Sequence, residues 1–358
     1  MRNYLILLLI SLTAFGSYGQ NATSDSTSVA QEKEKKNFNF NLMPYMSYNR
    51  NLEFMYGVLP LAMYRLNPND TISPKSLSGI TGVFTTNGSK FIGFFNRWHL
   101  AQDTWRIQLY GATGNHISQF YYDYDVTPGF YDYKTKTKLI SIGLQRKVLH
   151  TLYAGISYTY AHHFTKYEDE IIPDATTDTH SLQYIALWDT RNEVYYPTDG
   201  NQIRLKWNSF PQWMGNDIEA NKIITEYNQY FPFHDGRDVL AARFSGTFGL
   251  GDIAFEQQVV LGGNDIRGYS EAKYRGDGLM AIQGEYRYNF ASRMGLVGFA
   301  GLATIYGSPT KEFDWDLYPG FGVGYRYQAF KSANFNIGLD AALGKDDWGV
   351  YFRIGEAF

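Results

Sequence analysis

The sequence predicts an all-β fold: a transmembrane antiparallel β-barrel of about sixteen strands, with one loop folded into its interior. Composition is the first reason. Thirty tyrosines, 25 phenylalanines and 35 glycines bring the aromatic share to 17%, yet mean hydropathy is only -0.34. A soluble chain would struggle to hide so many rings. The second reason is that, beyond the N-terminal leader, no stretch reaches the roughly 18 apolar residues of a spanning helix. The third is that side chains of opposite character take turns with a period of two. A membrane barrel accommodates all three, because lipid-facing and lumen-facing residues alternate along every strand.

The chain opens on "MRNYLILLLISLTAFGSYGQ", with Arg2 ahead of an apolar run from Tyr4 to Phe15, then Ser17 and Gly19 as small residues before a cut. That is the layout of a secretory signal peptide, residues 1–19, and implies export. A polar tether is expected over 20–36, and one β-barrel domain over 37–358, with no composition shift inside it. Strands are expected near 38–49, 53–66, 79–88, 90–100, 104–115, 133–147, 150–164, 180–190, 201–210, 218–233, 238–250 and 293–306, with four clearer ones in the C-terminal third.

Those four sort cleanly into faces. In "GLMAIQGEYRYNF", Met280, Ile282, Tyr286, Tyr288 and Phe290 oppose Gln283, Glu285, Arg287 and Asn289. Phe321, Val323, Tyr325 and Tyr327 oppose Arg326 and three glycines, and Phe335, Ile337, Leu339, Ala341 and Leu343 oppose Asn336, Gly338, Asp340 and Ala342. In the last segment Trp348, Val350, Phe352, Ile354 and Phe358 share the apolar face, with Glu356 as its one misfit. Phe352, Ile354 and Phe358 supply an apolar C-terminal strand signal. Near the start, "FMYGVLPLAMYRL" is apolar on both faces and fits either register.

The polar faces, with Arg243, Arg326, Arg353, Asp340 and Glu285, cannot line an oily core, so the lumen is wet, plugged or both. The segment "LGGNDIRGYSEAKYRGDG", Leu261 to Gly278, has no periodicity of its own and is placed to fold inward. Arg267 in its middle offers a planar fork suited to a bidentate carboxylate contact. Glu285 on the following strand is the expected partner; a solvated surface arginine is the other reading.

Here the chain resembles a known family. "GGNDIRGYSEAKYRG" followed by "GLMAIQGEYRY", with "WDTRNEVYYPTDGNQIRLKW" upstream and "YFRIGEAF" at the close, is similar to the barrel of the BamA/TamA superfamily of outer-membrane assembly proteins, also called bacterial surface antigens. The resemblance covers most of the mature chain and is strongest from Asp189 onward. It implies that the motif, here Ile266, Arg267, Gly268 and Tyr269 after the paired Gly262 and Gly263, lies on a loop inside a sixteen-stranded barrel and meets acidic wall residues, here Glu285. The aspartate it implies on the next strand has no counterpart, since "GLVGFAGLATIYG" carries Gly301 or a neighbour there. With no room for periplasmic polypeptide-transport-associated domains between Gly19 and Asn37, the chain resembles the short, barrel-only members.

Other chemistry is disfavoured. A net charge of -3 lacks the basic footprint of nucleic-acid binding, and the absence of cysteine excludes disulfides and thiolate metal sites. The adjacent His162 and His163, read as a solvated loop rim, would point to opposite faces of a strand and fail to converge on a metal. "DTRNEVYYPTDG" reads as a tight connection between strands, with Pro197 and Gly200 in the turn. No cofactor and no enzymatic activity are expected. The leading expectation is assistance in inserting or assembling outer-membrane components, through a weakly closed seam between the first and last strands and local bilayer thinning. The alternatives are a passive channel or structural barrel gated by the loop, and, third, a membrane lipid hydrolase. The expected partners are outer-membrane lipid and either nascent outer-membrane proteins or a separate periplasmic protein.

Overall fold

The computed structural model describes residues 37–122, 129–167, 173–217, 219–253, 257–263, 265–330 and 334–358. The expected signal peptide and tether lie outside the described residues. The barrel strands are β1 (Phe38–Asn49), β2 (Glu53–Tyr64), β3 (Ser76–Thr85), β4 (Lys90–Leu100), β5 (Trp105–Tyr122), β6 (Gly129–Lys147), β7 (Leu152–Tyr167), β8 (Ala175–Asp189), β9 (Gly200–Phe210), β10 (Ala220–Phe233) and β11 (Asp238–Gly251). After a small hairpin, β12 (Val259–Gly262) and β13 (Ser270–Gly276), the wall resumes with β14 (Gly278–Ala291), β15 (Met294–Tyr306), β16 (Tyr318–Phe330), β17 (Phe335–Gly344) and β18 (Asp347–Ile354). Sixteen strands form a closed antiparallel barrel in which β11 pairs with β14 and β18 meets β1. Full closure removes the sheet edges that hydrocarbon would leave unsatisfied.

The period of two sets the two surfaces. Ile282, Tyr286, Tyr288, Phe321, Val323 and Leu339 are exposed on the outside, while Gln283, Glu285, Arg287, Arg326 and Asp340 are buried within. The end where β1 begins carries mostly short turns such as 101–104, 148–151 and 234–237, with 65–75 and 190–199 as its two longer connections, whereas the opposite end carries the longest excursion, 252–277. Short turns mark the periplasmic side and long loops the extracellular side.

The structure extends one sequence expectation, explains a second and corrects a third. β5 and β6 rise higher than expected, pairing without interruption from Trp105↔Arg146 to Tyr122↔Gly129. Segment 53–66 is apolar on both faces because its inner face is packed: Leu59, Leu61 and Met63 are fully buried against Met43, Leu77, Phe330 and Phe335 at the periplasmic end of the lumen. Phe335 belongs to that inner cluster and not to the lipid face, and it sits where the β16–β17 register shifts between Gln328 and Phe330.

The last segment is also corrected. β18 stops at Ile354, since Gly355 takes a φ of +83 that L side chains adopt only with strain. The chain then turns inward. Glu356 is therefore no misfit on the lipid face; it is buried among lumenal arginines, 3.0 Å from Arg326 Nε. Phe358 leaves the outer face too, its ring packing with Tyr196, Tyr230, Val239 and Ala241 inside the barrel. Ile354 remains exposed outside, and Phe352 packs edge-on against Tyr45 of β1 at 5.2 Å.

Candidate functional site

The long extracellular excursion enters the lumen and carries its own hairpin, β12 against β13, which the sequence did not show as alternation. Ile266 and Tyr269 are buried with Leu261, Tyr274, Leu279, Ile305, Phe313 and Tyr318, so an apolar cluster docks the loop to β14, β15 and β16. The wall is cut to receive it. A Cβ on Gly320 of β16 would lie 2.3 Å from the Arg267 carbonyl oxygen, and one on Gly301 of β15 would lie 2.8 Å from Ile266. Gly268 has a φ of +110, and a side chain there would strike the Leu343 carbonyl at 2.5 Å. Gly301, standing where the family resemblance implies an acid, thus gives space to Ile266.

Arg267 sits within this docked turn, 1% exposed. Its Nη1 donates to Asp340 Oδ2 of β17 at 2.7 Å and lies 2.9 Å from Glu285 Oε2 of β14. The guanidinium carbon stands 3.4 Å from the Phe299 ring centroid, a desolvated cation–π contact. The expected bidentate fork on one carboxylate is therefore replaced by one nitrogen shared between two acids, with the planar face on a ring. The second acid comes from β17, three barrel strands beyond Glu285, where local sequence spacing gave no signal.

Around this pair lies a larger network. Arg287 Nε donates to Glu285 Oε1 at 2.9 Å, Arg353 Nε donates to Asp340 Oδ2 at 3.2 Å, and Arg326 bonds Asp340 and Glu356. Four arginines and three acids, all at least nine-tenths buried, occupy one lumenal patch. Burying such a cluster is costly unless opposite charges are paired, and here every charge lies within ion-pair distance of an opposite one, although Arg267 Nε and Nη2 find no hydrogen-bond partner. The loop backbone is held as well. The Tyr351 hydroxyl accepts from Gly268 N and donates to Tyr269 O, and Ser270 donates to Asp347 Oδ2 from both N and Oγ. Tyr351 and Asp347 belong to β18, so the loop grips the last strand from inside.

That last strand closes the barrel poorly. β1 pairs with β2 along all twelve of its residues, but with β18 only at Tyr48↔Val350 and Asn49↔Gly349. The upper seam adds a Ser47 Oγ bond to Val350 O at 2.6 Å and a stacked Tyr48–Trp348 pair at 4.6 Å. Below it the backbone pairing ends, although Tyr45 and Phe352 still meet edge-on. Asn41 donates instead to Ala329 O of β16 at 3.1 Å, and Met43 turns to Phe330 and Phe335.

A second intrusion went unrecognised in the sequence. The β8–β9 connection, starting after Asp189 and ending at Gly200 with its φ of +90, is more than a tight turn. Tyr195 packs on Phe335 and bonds Lys75 O, and Tyr196 accepts from Asn289 Nδ2 at 2.7 Å, so both tyrosines stopper the periplasmic mouth. Paired tyrosines in an otherwise polar turn were the available signal. His162 and His163 lie within β7, not at a loop rim, and face opposite ways: His162 meets Asp178 and His163 meets Thr137.

A closed sixteen-stranded barrel with its long extracellular loop bonded to the inner wall defines a class of bacterial outer-membrane protein. Residues 83–358 match the Omp85 superfamily domain, and the chain belongs to that superfamily. No curated protein matches it significantly. Among solved structures it is similar to BamA from Haemophilus ducreyi lacking POTRA domains 1-3, with TM-score 0.56, 14% identity, and 88% of this chain and 69% of that chain covered. It is also similar to CdiB from Acinetobacter baumannii (TM-score 0.62, 14% identity, 88% and 59% covered) and CdiB from Escherichia coli (0.61, 10%, 87% and 62%). At these identities the likeness is one of fold, and the chain spans less than two thirds of either CdiB chain.

Proposed function

We propose that this barrel assists the insertion or assembly of outer-membrane components, with nascent barrel proteins as the foremost candidates, by parting the seam between β1 and β18. The observation that carries this reading is the two-pair register of that seam beside a twelve-pair β1–β2 ladder. A net hydrogen bond contributes about 1 kcal/mol in water, and unpaired backbone in hydrocarbon costs several times more. A seam with few such bonds is the cheapest place to open and offers β1 as a template for an incoming strand. The missing lower pairs also favour a locally thinned bilayer beside the seam. The loop's part is to hold β18 in place through Tyr351 and Asp347 while β1 moves.

The native chain has no cysteine, which makes a lock simple. In a Tyr48→Cys/Val350→Cys variant, oxidation should abolish function, lowering the levels of other outer-membrane barrels as depletion should, and reductant should restore them. Unchanged levels in both the depleted and the locked strain would remove the proposal. A passive channel is the competing reading. It calls for steady conductance in planar bilayers, whereas a lumen occupied by the loop and by Tyr195 and Tyr196 supports a nearly silent barrel.

A further inference from the structure

The outer wall carries a feature that neither the seam nor the loop uses. On β6, Lys134, Lys136 and Lys138 fall in register with the lipid-facing Ile140 and Ile142, so all three point outward, on the extracellular side of the apolar band. Neighbouring strands extend the row. Lys90 of β4 lies opposite Asn115 and Asn115 opposite Lys136, while Lys166 of β7 lies directly opposite Lys134. None of these five lysines makes an ion pair or a side-chain hydrogen bond among the described residues. Among the described residues, Asp178 bonds His162 and Tyr160 and Asp132 accepts from Gln119, while the exposed Asp174 sits at the rim beside Lys166, away from Lys90, Lys136 and Lys138.

Like charges placed directly opposite on a sheet face repel, as Lys134 and Lys166 must, unless an anion lies between or above them. The surface beside them is hollow. A groove of about 490 Å³ is lined by Lys90, Lys136 and Lys138 together with Phe84, Ile92 and Phe164. It joins ammonium groups to apolar side chains continuous with the lipid-facing band. Its occupant must therefore present negative charge at headgroup height and acyl chains below it.

We infer that this groove binds a phosphate-bearing anionic lipid of the outer leaflet, with its phosphate among Lys90, Lys136 and Lys138 and its chains along Ile92 and Ile140. Each lysine near an anionic headgroup contributes about 1 kcal/mol, so removing three should weaken binding by at least about tenfold.

The test uses the full chain in non-ionic detergent, with retained lipid counted by native mass spectrometry. The probe is lipid A carrying two phosphates, beside its dephosphorylated form, phosphatidylcholine and inorganic phosphate. Wild type and a Lys311→Gln control should retain the phosphorylated lipid, and Lys90→Gln/Lys136→Gln/Lys138→Gln should lose it at least tenfold while keeping heat-modifiable migration. Arginines at the same three positions keep the charge and should keep the lipid, which covers a glutamine variant that fails to fold. Equal retention by the glutamine variant, loss in the arginine variant, equal uptake of the dephosphorylated lipid, or a response to inorganic phosphate alone would each overturn the inference.

Discussion

Arg267 brings a charge into a place where water cannot serve it, and three contacts share the task of compensating it: Asp340, Glu285 and the face of Phe299. Truncating one partner of a buried charge network costs about 3–5 kcal/mol, because the remaining charges stay buried. Arg267→Ala should lower the unfolding midpoint in urea accordingly. An Arg267→Ala/Asp340→Asn double-mutant cycle should show a coupling of about 1 kcal/mol or more. Arg267→Lys should recover little of the loss, since an ammonium supplies no plane to lie on Phe299. At the periplasmic end Asp103 occupies the β4–β5 turn. Burial would raise its pKa, but hydrogen bonds from Arg106, His99 and Tyr153 prevail and hold it well below the usual carboxylate range. A carboxylate depressed in the folded state adds stability above its unfolded pKa of about 3.9, and that stability is lost as pH falls toward the folded value. Urea melts from pH 6 down to pH 2 should therefore show an acid-side loss that Asp103→Asn reduces.

Among the elements, the docked loop and the wall that receives it are complementary in shape, and Gly320 makes the point testable. Gly320→Ala places a carbon against the Arg267 carbonyl and should expel the turn, exposing the loop to protease, whereas Gly284→Ala, with nothing within 4 Å, should leave it protected. Equal protease resistance in the two variants would mean that the loop is not held by this fit. How far the sequence revealed such elements depended on range. Alternation assigned Ile282, Tyr286 and Tyr288 to lipid and Glu285 and Arg287 to the lumen, because sheet faces are set by a period of two whatever the neighbours are. The Ile266–Tyr269 turn stood out through its glycines and its lone arginine. Asp340 as the second acid could not be found that way, since only barrel closure brings β17 beside the loop. Glu356 and Phe358 were misplaced for a related reason: alternation was continued past Gly355, where a positive φ ends the strand. The inward tyrosines of the β8–β9 connection carry no period at all.

At the scale of the whole molecule, a barrel in lipid is as stable as its least paired junction, and here that junction is identifiable. β5 and β6 share an unbroken ladder from Trp105 to Tyr122, while β1 and β18 share two residue pairs near the extracellular rim. Loop, last strand and arginine network are bonded together through Tyr351, Asp347 and Arg353, whereas β1 meets β18 at two residue pairs, so β1 is expected to be the side of the seam that moves. Amide hydrogen exchange on the purified barrel, read strand by strand, tests this most directly. Backbone amides of Asn39–Met46 that do not bond β2 should exchange far faster than those of β5 and β6, and locking Tyr48 to Val350 by a disulfide should slow them. Protection along β1 equal to that of β5 and β6, unchanged by the lock, would contradict a seam that opens.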